Sequence, residues 1–260
     1  MTPRSAAVCT DHMRVNILGV NIDAVTRKGA IGAAAAFLSG DRGRLIFTPN
    51  PEMLVLARRD DEFKQVLNSA DLAIPDGTGL LWAAKWAGQS LPERVAGSDL
   101  MQDIVALAAA SGQSVFLLGG EPGVADRAAG ELQRRHPELV VAGAMSGGKV
   151  RRGPDGRLAV DRAVREALRV SCPAVLLVAF GHGKQEKWIW QNIAALPSVR
   201  LAMGVGGSFD FIIGKASRAP LFMRKLGLEW LWRLILEPRR WRRIWDAVVV
   251  FPFLLITEKN

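Results

Sequence analysis

The stretch Asp71-Leu72-Ala73-Ile74-Pro75-Asp76-Gly77-Thr78-Gly79 carries one carboxylate at a chemically useful place. Leu72 to Ile74 reads as a short apolar strand, and Pro75 stops it, because proline holds φ and cannot extend a sheet ladder. Gly77 and Gly79 permit a sharp turn into a helix carrying Leu80, Leu81 and Ala84. Asp76 is therefore delivered just past the carboxyl end of a parallel strand, the rim where open α/β sheets bind ligands. A carboxylate there can accept a proton from an attacking hydroxyl. It can equally N-cap the helix that follows, and the residues leave both roles open.

Three further strand ends carry polar or glycine-rich signatures: Thr48-Pro49-Asn50, Gly119-Gly120 and Gly204-Val205-Gly206-Gly207, the last running on to Asp210. In a doubly wound sheet all of them open on the rim that holds Asp76. Gly-rich turns between strand and helix expose backbone N–H groups that suit phosphate, although such turns also serve packing alone. Thr48 and Asn50 flank a proline turn, where both residue types commonly hydrogen-bond locally. Gln185, at the head of a helix beside Lys184 and Glu186, can bond a sugar hydroxyl or a phosphate, or simply fill a helix terminus. Arg94 precedes a helix and can reach an anion, or stand as a surface loop arginine.

Several classes fail specific tests. Gly119-Gly120-Glu121-Pro122-Gly123 resembles a degraded dinucleotide fingerprint, but the next strand ends Val141-Ala142-Gly143-Ala144 without the acid that would hold a ribose. No Gly-Lys-Ser/Thr follows at P-loop spacing. His12, His136 and His182 do not cluster, and Cys9 and Cys172 lack metal-ligand spacing, so zinc is disfavoured and a reduced, cytosolic chain is expected. There is no Asp-x-Asp to hold a divalent ion on a nucleotide-sugar diphosphate. If such a donor binds, its charge must be met by side chains and helix ends.

The elements that must position these residues follow from the alternation of short β-rich runs with longer helical ones across 260 residues. Strands are expected at Val15–Leu18, Leu45–Phe47, Leu72–Ile74, Val115–Leu118, Leu139–Ala142, Ala174–Phe180 and Val199–Val205. Helices are expected between them, including one continuous helix from Glu52 to Asn68 and one from Asp99 capped by Ser98. The fold class is α/β: a Rossmann-like, mostly parallel sheet with helices on both faces. Residues 1–13 are expected to be a disordered N-terminus without a signal peptide, and residues 14–214 the α/β core.

At about Lys215 the composition shifts. Lys215 to Arg243 holds nine Lys or Arg against two Glu, with Trp230, Trp232 and Trp241 interleaved. Residues 215–260 are expected to form a helical appendage. Together with a formal net charge of +9, it calls for an anionic partner. Arg233, Arg239, Arg240, Arg242 and Arg243 could neutralise a diphosphate or meet lipid head groups, or form a solvated helix face. Mixed Trp and Arg suit a membrane surface. The apolar run from Ala247 to Ile256 is too short to span a bilayer, which takes about 20 residues. Nucleic acid has no recognisable module to support it. A basic membrane- or nucleic-acid-binding α/β protein without catalysis is the competing reading.

Taken in order, Thr48-Pro49-Asn50-Pro51-Glu52-Met53, Ile74-Pro75-Asp76-Gly77-Thr78-Gly79, Glu93-Arg94-Val95-Ala96-Gly97-Ser98-Asp99, Leu118-Gly119-Gly120-Glu121-Pro122-Gly123, Lys184-Gln185-Glu186-Lys187-Trp188, Gly204 to Asp210, and Arg218-Ala219-Pro220 with Leu226-Gly227-Leu228-Glu229-Trp230 and Glu237-Pro238-Arg239-Arg240 resemble the WecG/TagA/CpsF glycosyltransferases. The resemblance runs from about Val15 to Arg243. It implies an inverting, metal-independent and cofactor-free transferase. The enzyme would move a sugar from a UDP donor to a polyprenyl-pyrophosphate-linked sugar, peripherally attached to the cytoplasmic face of the cell membrane, in exopolysaccharide, teichoic acid linkage or common antigen synthesis. A homo-oligomer is compatible with it; nucleic acid is not implied. By this likeness Asp76 is the base, Thr48 and Asn50 are polar residues of the pocket, and Arg94 and Gln185 contact substrate. Gly204, Gly206, Gly207 and Asp210 would hold the nucleotide, and Arg233, Arg239, Arg240 and Arg243 would complete the site over the diphosphate. One departure stands out: the family usually has Pro before Lys-Gln-Glu, where this chain has Gly183 after His182.

Overall fold

Six short strands pair in parallel into one sheet, and alternate side chains along each strand enter different cores. The computed structural model describes residues 13–153, 156–220, 223 and 227–257. The expected disordered N-terminus lies, except for Met13, outside the described residues. The chain opens with β1 (Arg14–Ile17) and β2 (Val20–Asp23), then α1 (Arg27–Leu38), β3 (Arg44–Phe47), α2 (Pro51–Arg59), α3 (Asp61–Asn68), β4 (Leu72–Ala73) and α4 (Thr78–Trp86). Next come α5 (Gly97–Ala110), β5 (Val115–Gly119), α6 (Val124–Arg135), β6 (Val141–Met145), β7 (Arg151–Arg152), β8 (Leu158–Ala159) and α7 (Arg162–Ser171). The core closes with β9 (Val175–Ala179), α8 (Lys184–Asn192), β10 (Leu201–Gly204) and α9 (Ser208–Ile212).

The main sheet has the order β4-β3-β10-β9-β5-β6, parallel throughout. Leu45 and Phe47 face one core with Met53, Phe63, Leu80 and Trp188, while Ile46 faces the other with Phe37, Leu100, Ile104 and Phe209. Val115 and Leu117 are divided from Phe116 and Leu118 in the same way. Helices cover both faces, so the central strands are apolar without alternation, as parallel strands buried on both sides must be. The α/β, Rossmann-like expectation stands.

Local departures have identifiable causes. Val15 does not start the parallel sheet. β1 and β2 form a separate antiparallel hairpin turned at Leu18 and Gly19, both at positive φ, with Asn16 Nδ2 donating to Asn21 Oδ1 at 2.8 Å. The helix expected from Glu52 to Asn68 breaks at Asp60, whose Oδ1 accepts from the Phe63 amide at 2.9 Å and starts a new helix. Ser98 is not a cap: α5 starts after Ala96, and no side chain of its own N-cap residue bonds its first turn. The strand expected at Leu139–Ala142 forms two residues later, and the basic loop after it pairs Arg151–Arg152 with Leu158–Ala159.

The described part of the appendage is helical. A helix over Glu229–Leu236 leads through a tight turn at Pro238–Arg240 into Trp241–Trp245, a wider helical turn at Asp246–Val250 and a last helix, Phe251–Thr257. Phe251 is buried in the core beneath α2 and α4, and Arg59 of α2 pairs with Asp246 at 3.1 Å. No helix among the described residues is long and apolar enough to cross a membrane.

Candidate active site

Three adjacent strands, β4, β3 and β10, deliver Asp76, Thr48 and Gly204 to one rim. The Asp76 amide donates to the Pro49 carbonyl at 2.9 Å, tying the β4 exit to the β3 exit. Gly77 takes φ +120 beside Pro51, and a Cβ on Gly79 would lie 2.8 Å from Pro51 Cγ. The glycines thus let α4 begin directly against the first turn of α2.

Asp76 does not cap α4, whose first turn receives no side-chain cap bond. Its Oδ2 accepts instead from the Gly97 amide at 3.2 Å, at the head of α5 twenty-one residues on. The helix end satisfies one oxygen, and the other faces Arg94, whose Nε is 3.8 Å from Oδ1. Arg94 Nη2 bonds the Glu229 carboxylate from the appendage, while Arg94 Nε is buried with no hydrogen-bond partner.

These groups line a small cavity, partly open to solvent, with Ser98, Phe211, Arg218, Trp232 and Arg233 among its walls. Arg218 donates to Asp99 Oδ1 at 2.6 Å, and the Arg233 guanidinium sits 5.6 Å from the centre of the Phe211 ring. Asp76 keeps 30% of its side-chain area exposed towards this cavity while protein surrounds it elsewhere. Burial pushes its carboxyl above the ordinary range, although Arg94, the Gly97 N–H and Arg233 pull the other way; Glu229 adds to the rise. A carboxylate so tuned is a better proton acceptor than one in water.

Thr48 is buried, with its methyl 3.0 Å from where a Gly97 Cβ would stand, and Asn50 caps α2 by accepting from the Met53 amide at 3.0 Å. Gln185 is buried beneath the β10 turn: its Nε2 donates to Glu186 Oε1 at 2.7 Å and its Oε1 accepts from the Gly206 amide at 3.1 Å. Glu186 also accepts from the Gly183 amide at 2.8 Å, and burial raises its carboxyl. Gly204 leaves no room for a side chain above this pair. Gly207 is exposed, and Asp210 lies 3.8 Å from Lys215.

The appendage arginines divide. Arg233 is in the cavity. Arg243 donates to Glu52 and lies 2.8 Å from His182 Nδ1, closing the appendage onto the α2 and α8 loops. Burial opposes ionisation of Glu52, but His182 and Arg243 together hold its carboxyl below the usual range. Arg240 bonds Glu237 at 2.6 Å, and Arg239 is exposed on the turn beside it. Of the residues proposed from sequence, Asp76, Arg94 and Arg233 share the cavity; Gln185, Gly204 and Gly206 form a bonded bracket; Thr48, Asn50, Gly207, Asp210, Arg239, Arg240 and Arg243 stand outside both. Glu229, Arg218, Trp232 and Phe211 received no role from the sequence, although Arg218 and Glu229 lie in segments that carried the resemblance.

The glycosyl transferase WecG/TagA/CpsF family model matches residues 15–260. The chain belongs to this family. It is a glycosyltransferase. Among similar proteins, the N-acetylglucosaminyldiphosphoundecaprenol N-acetyl-beta-D-mannosaminyltransferase of Bacillus spizizenii is 33% identical over 80% of this chain and 77% of its own length. Proteins of the same name from Bacillus subtilis and Staphylococcus aureus are each 31% identical, the first over 84% of this chain and 81% of its own, the second over 95% and 94%. The WecG/TagA/CpsF match spans the core and the appendage alike, which accords with a cavity walled by both.

Proposed function

We propose that this transferase moves N-acetylmannosamine from its UDP derivative to the N-acetylglucosamine of a polyprenyl-diphosphate-linked acceptor, with inversion at the anomeric carbon. The observation that carries the reading is the Asp76 carboxylate, anchored through one oxygen on the Gly97 N–H and open through the other to a cavity walled by arginines. The identity of the sugars is drawn from the names of the relatives.

In the reaction Asp76 takes the proton of the acceptor hydroxyl. That oxygen bonds the anomeric carbon from one face, and the bond to the UDP oxygen breaks on the other, UDP leaving with the electron pair. The guanidiniums of Arg233 and Arg218, which line the cavity, are assigned to the charge that develops on the diphosphate, since fixed donors of this kind stabilise a transition state without reorganisation. The turn at Gly204 to Asp210, held by Gln185 through the Gly206 amide, is assigned to the nucleotide, its glycines leaving room for close approach. Thr48, packed against Gly97, and Asn50, capping α2, support the segments that hold Asp76 rather than contacting substrate. Charge compensation by arginine lets the transfer run without a metal. Residues 14–214 form the catalytic unit, and residues 215–260 both roof the site and bring it to the inner face of the cell membrane.

The test is release of UDP from UDP-N-acetylmannosamine in the presence of a short-chain N-acetylglucosaminyl diphospholipid, compared with UDP-glucose and UDP-N-acetylglucosamine. Acceptor-dependent release with the first donor, unchanged by a chelator, is the expected result. Release that requires an added divalent ion, or a preference for another donor, overturns the corresponding part of the reading.

A further inference from the structure

The large apolar side chains left exposed are strongly clustered. Among the described residues there are thirteen, and ten of them lie either on α4 or between Ile235 and Ile256. The two on α4 belong to the catalytic core and not to the appendage: Trp82 is 77% exposed and Trp86 is 55% exposed. α4 buries Leu80, Ala83 and Ala84, which is enough to hold it on the sheet. The outward indole of Trp82 is not needed for that packing.

The position of this helix gives the exposed indoles a context. Gly79, Trp82 and Trp86 follow one another at helical spacing and share a stripe. A Cβ at Gly79 would stand 3.7 Å from the ring of Phe251, so the stripe begins beside the last helix of the appendage. That helix buries Phe251 and leaves Phe253 and Ile256 outward, 63% and 53% exposed. Cations accompany the aromatics: Lys85 is exposed between the two α4 tryptophans, and Arg242 lies 5.4 Å from the centre of the Trp241 ring. Indoles flanked by cations match the head-group layer of an anionic bilayer, where the ring sits at the edge of the hydrocarbon and the cation meets phosphate.

We propose that α4 is a second lipid-contacting element, built into the core, and that Trp82 and Lys85 dock it onto an anionic phospholipid surface alongside the appendage. The consequence concerns acceptor delivery, and this part rests on the function proposed above. α4 starts two residues after Asp76, and Trp82 is four residues further along an axis rising about 1.5 Å per residue. One short, rigid helix thus joins the base to the membrane face. Docking through it sets the carboxylate at head-group height, where the diphosphate of a lipid-borne acceptor lies.

The experiment uses the full chain and its Trp82→Ser, Trp82→Phe and Lys85→Glu variants. Co-sedimentation is measured with vesicles of phosphatidylcholine alone and mixed equally with phosphatidylglycerol. Transfer is measured to a long-chain acceptor embedded in the mixed vesicles and to a water-soluble short-chain acceptor. Trp82→Ser should bind mixed vesicles several-fold more weakly and lose turnover on the embedded acceptor in proportion, with turnover on the soluble acceptor unchanged. Trp82→Phe should recover most of the binding. Lys85→Glu should weaken binding to the mixed vesicles by about five-fold or more and leave the weak binding to phosphatidylcholine unaltered. Wild-type vesicle binding by Trp82→Ser overturns the proposal, as does an equal loss on both acceptors, which would assign Trp82 to the fold. If the wild type transfers sugar to neither acceptor, the proposed reaction fails, while the co-sedimentation arm still decides the lipid contact.

Discussion

Arg94 Nε stops 3.8 Å from Asp76 Oδ1, inside the range of an ion pair and outside that of a hydrogen bond. The guanidinium is held there because its other arm is committed to Glu229 of the appendage. A full Arg–Asp pair would stabilise the ionised carboxylate and weaken it as a base. On the proposed mechanism, the arrangement keeps the cation near enough to meet substrate charge and short of quenching Asp76 as a base. Since Glu229 comes from the appendage, closing that segment over the core also sets the electrostatics of the site.

Asp76→Asn preserves the shape of the side chain and one acceptor for the Gly97 amide, and removes the proposed base. Turnover at saturating substrate should fall by about 10²–10⁴-fold. Near-native turnover would show that another group takes the proton. Stability should move the opposite way. A carboxyl whose folded pKa lies above its unfolded value binds its proton more tightly in the folded chain, so it costs stability when ionised in both states and costs nothing below the unfolded pKa. The variant should therefore melt above the wild type at pH 8. The difference should shrink as the pH falls through the raised Asp76 value towards the ordinary carboxylate range.

Glu229→Gln removes the charge that occupies Arg94 and that helps raise Asp76. Arg94 is then free to close on Asp76, and the carboxylate becomes a weaker base. In the proposed mechanism the ionised form is the active one, so the acid limb of the kcat/KM profile should shift to lower pH, and the plateau should drop by roughly ten-fold. A pH–rate profile superimposable on the wild type would remove Glu229 from the machinery.

Gly204→Ala places a methyl 2.7 Å from Gln185 Nε2 and 3.0 Å from Glu186 Oε1. Both side chains are buried and bonded on either side, so neither can step back without breaking the bracket under the Gly206 turn. The variant should lose about 1–3 kcal/mol of stability, read from the urea midpoint, together with affinity for the nucleotide. An unchanged midpoint would mean that the turn yields as a unit.

Much of this architecture was readable before folding. Val115–Gly119 and Val175–Ala179 are unbroken apolar runs because helices cover both sides of the sheet, and such runs are visible in one dimension. Asp76 was visible because Pro75 and the glycines around it punctuate the strand end. The β1–β2 hairpin and the break at Asp60 were not. A two-residue turn at Leu18-Gly19 and one extended residue between two helices alter φ and ψ locally and leave the hydrophobic pattern almost untouched.

The linear order of residues determined the α/β class, the rim on which Asp76 sits and the basic, tryptophan-rich character of the tail, since each depends on local periodicity, punctuation or charge density. Folding alone decided which groups meet. Asp76 passes over its own helix to the Gly97 amide, and Glu229 crosses from the appendage to hold Arg94. Gln185 turns inward beneath Gly206. Such pairings depend on where the sheet and the appendage place side chains tens or hundreds of residues apart, and residue spacing carries no record of that distance.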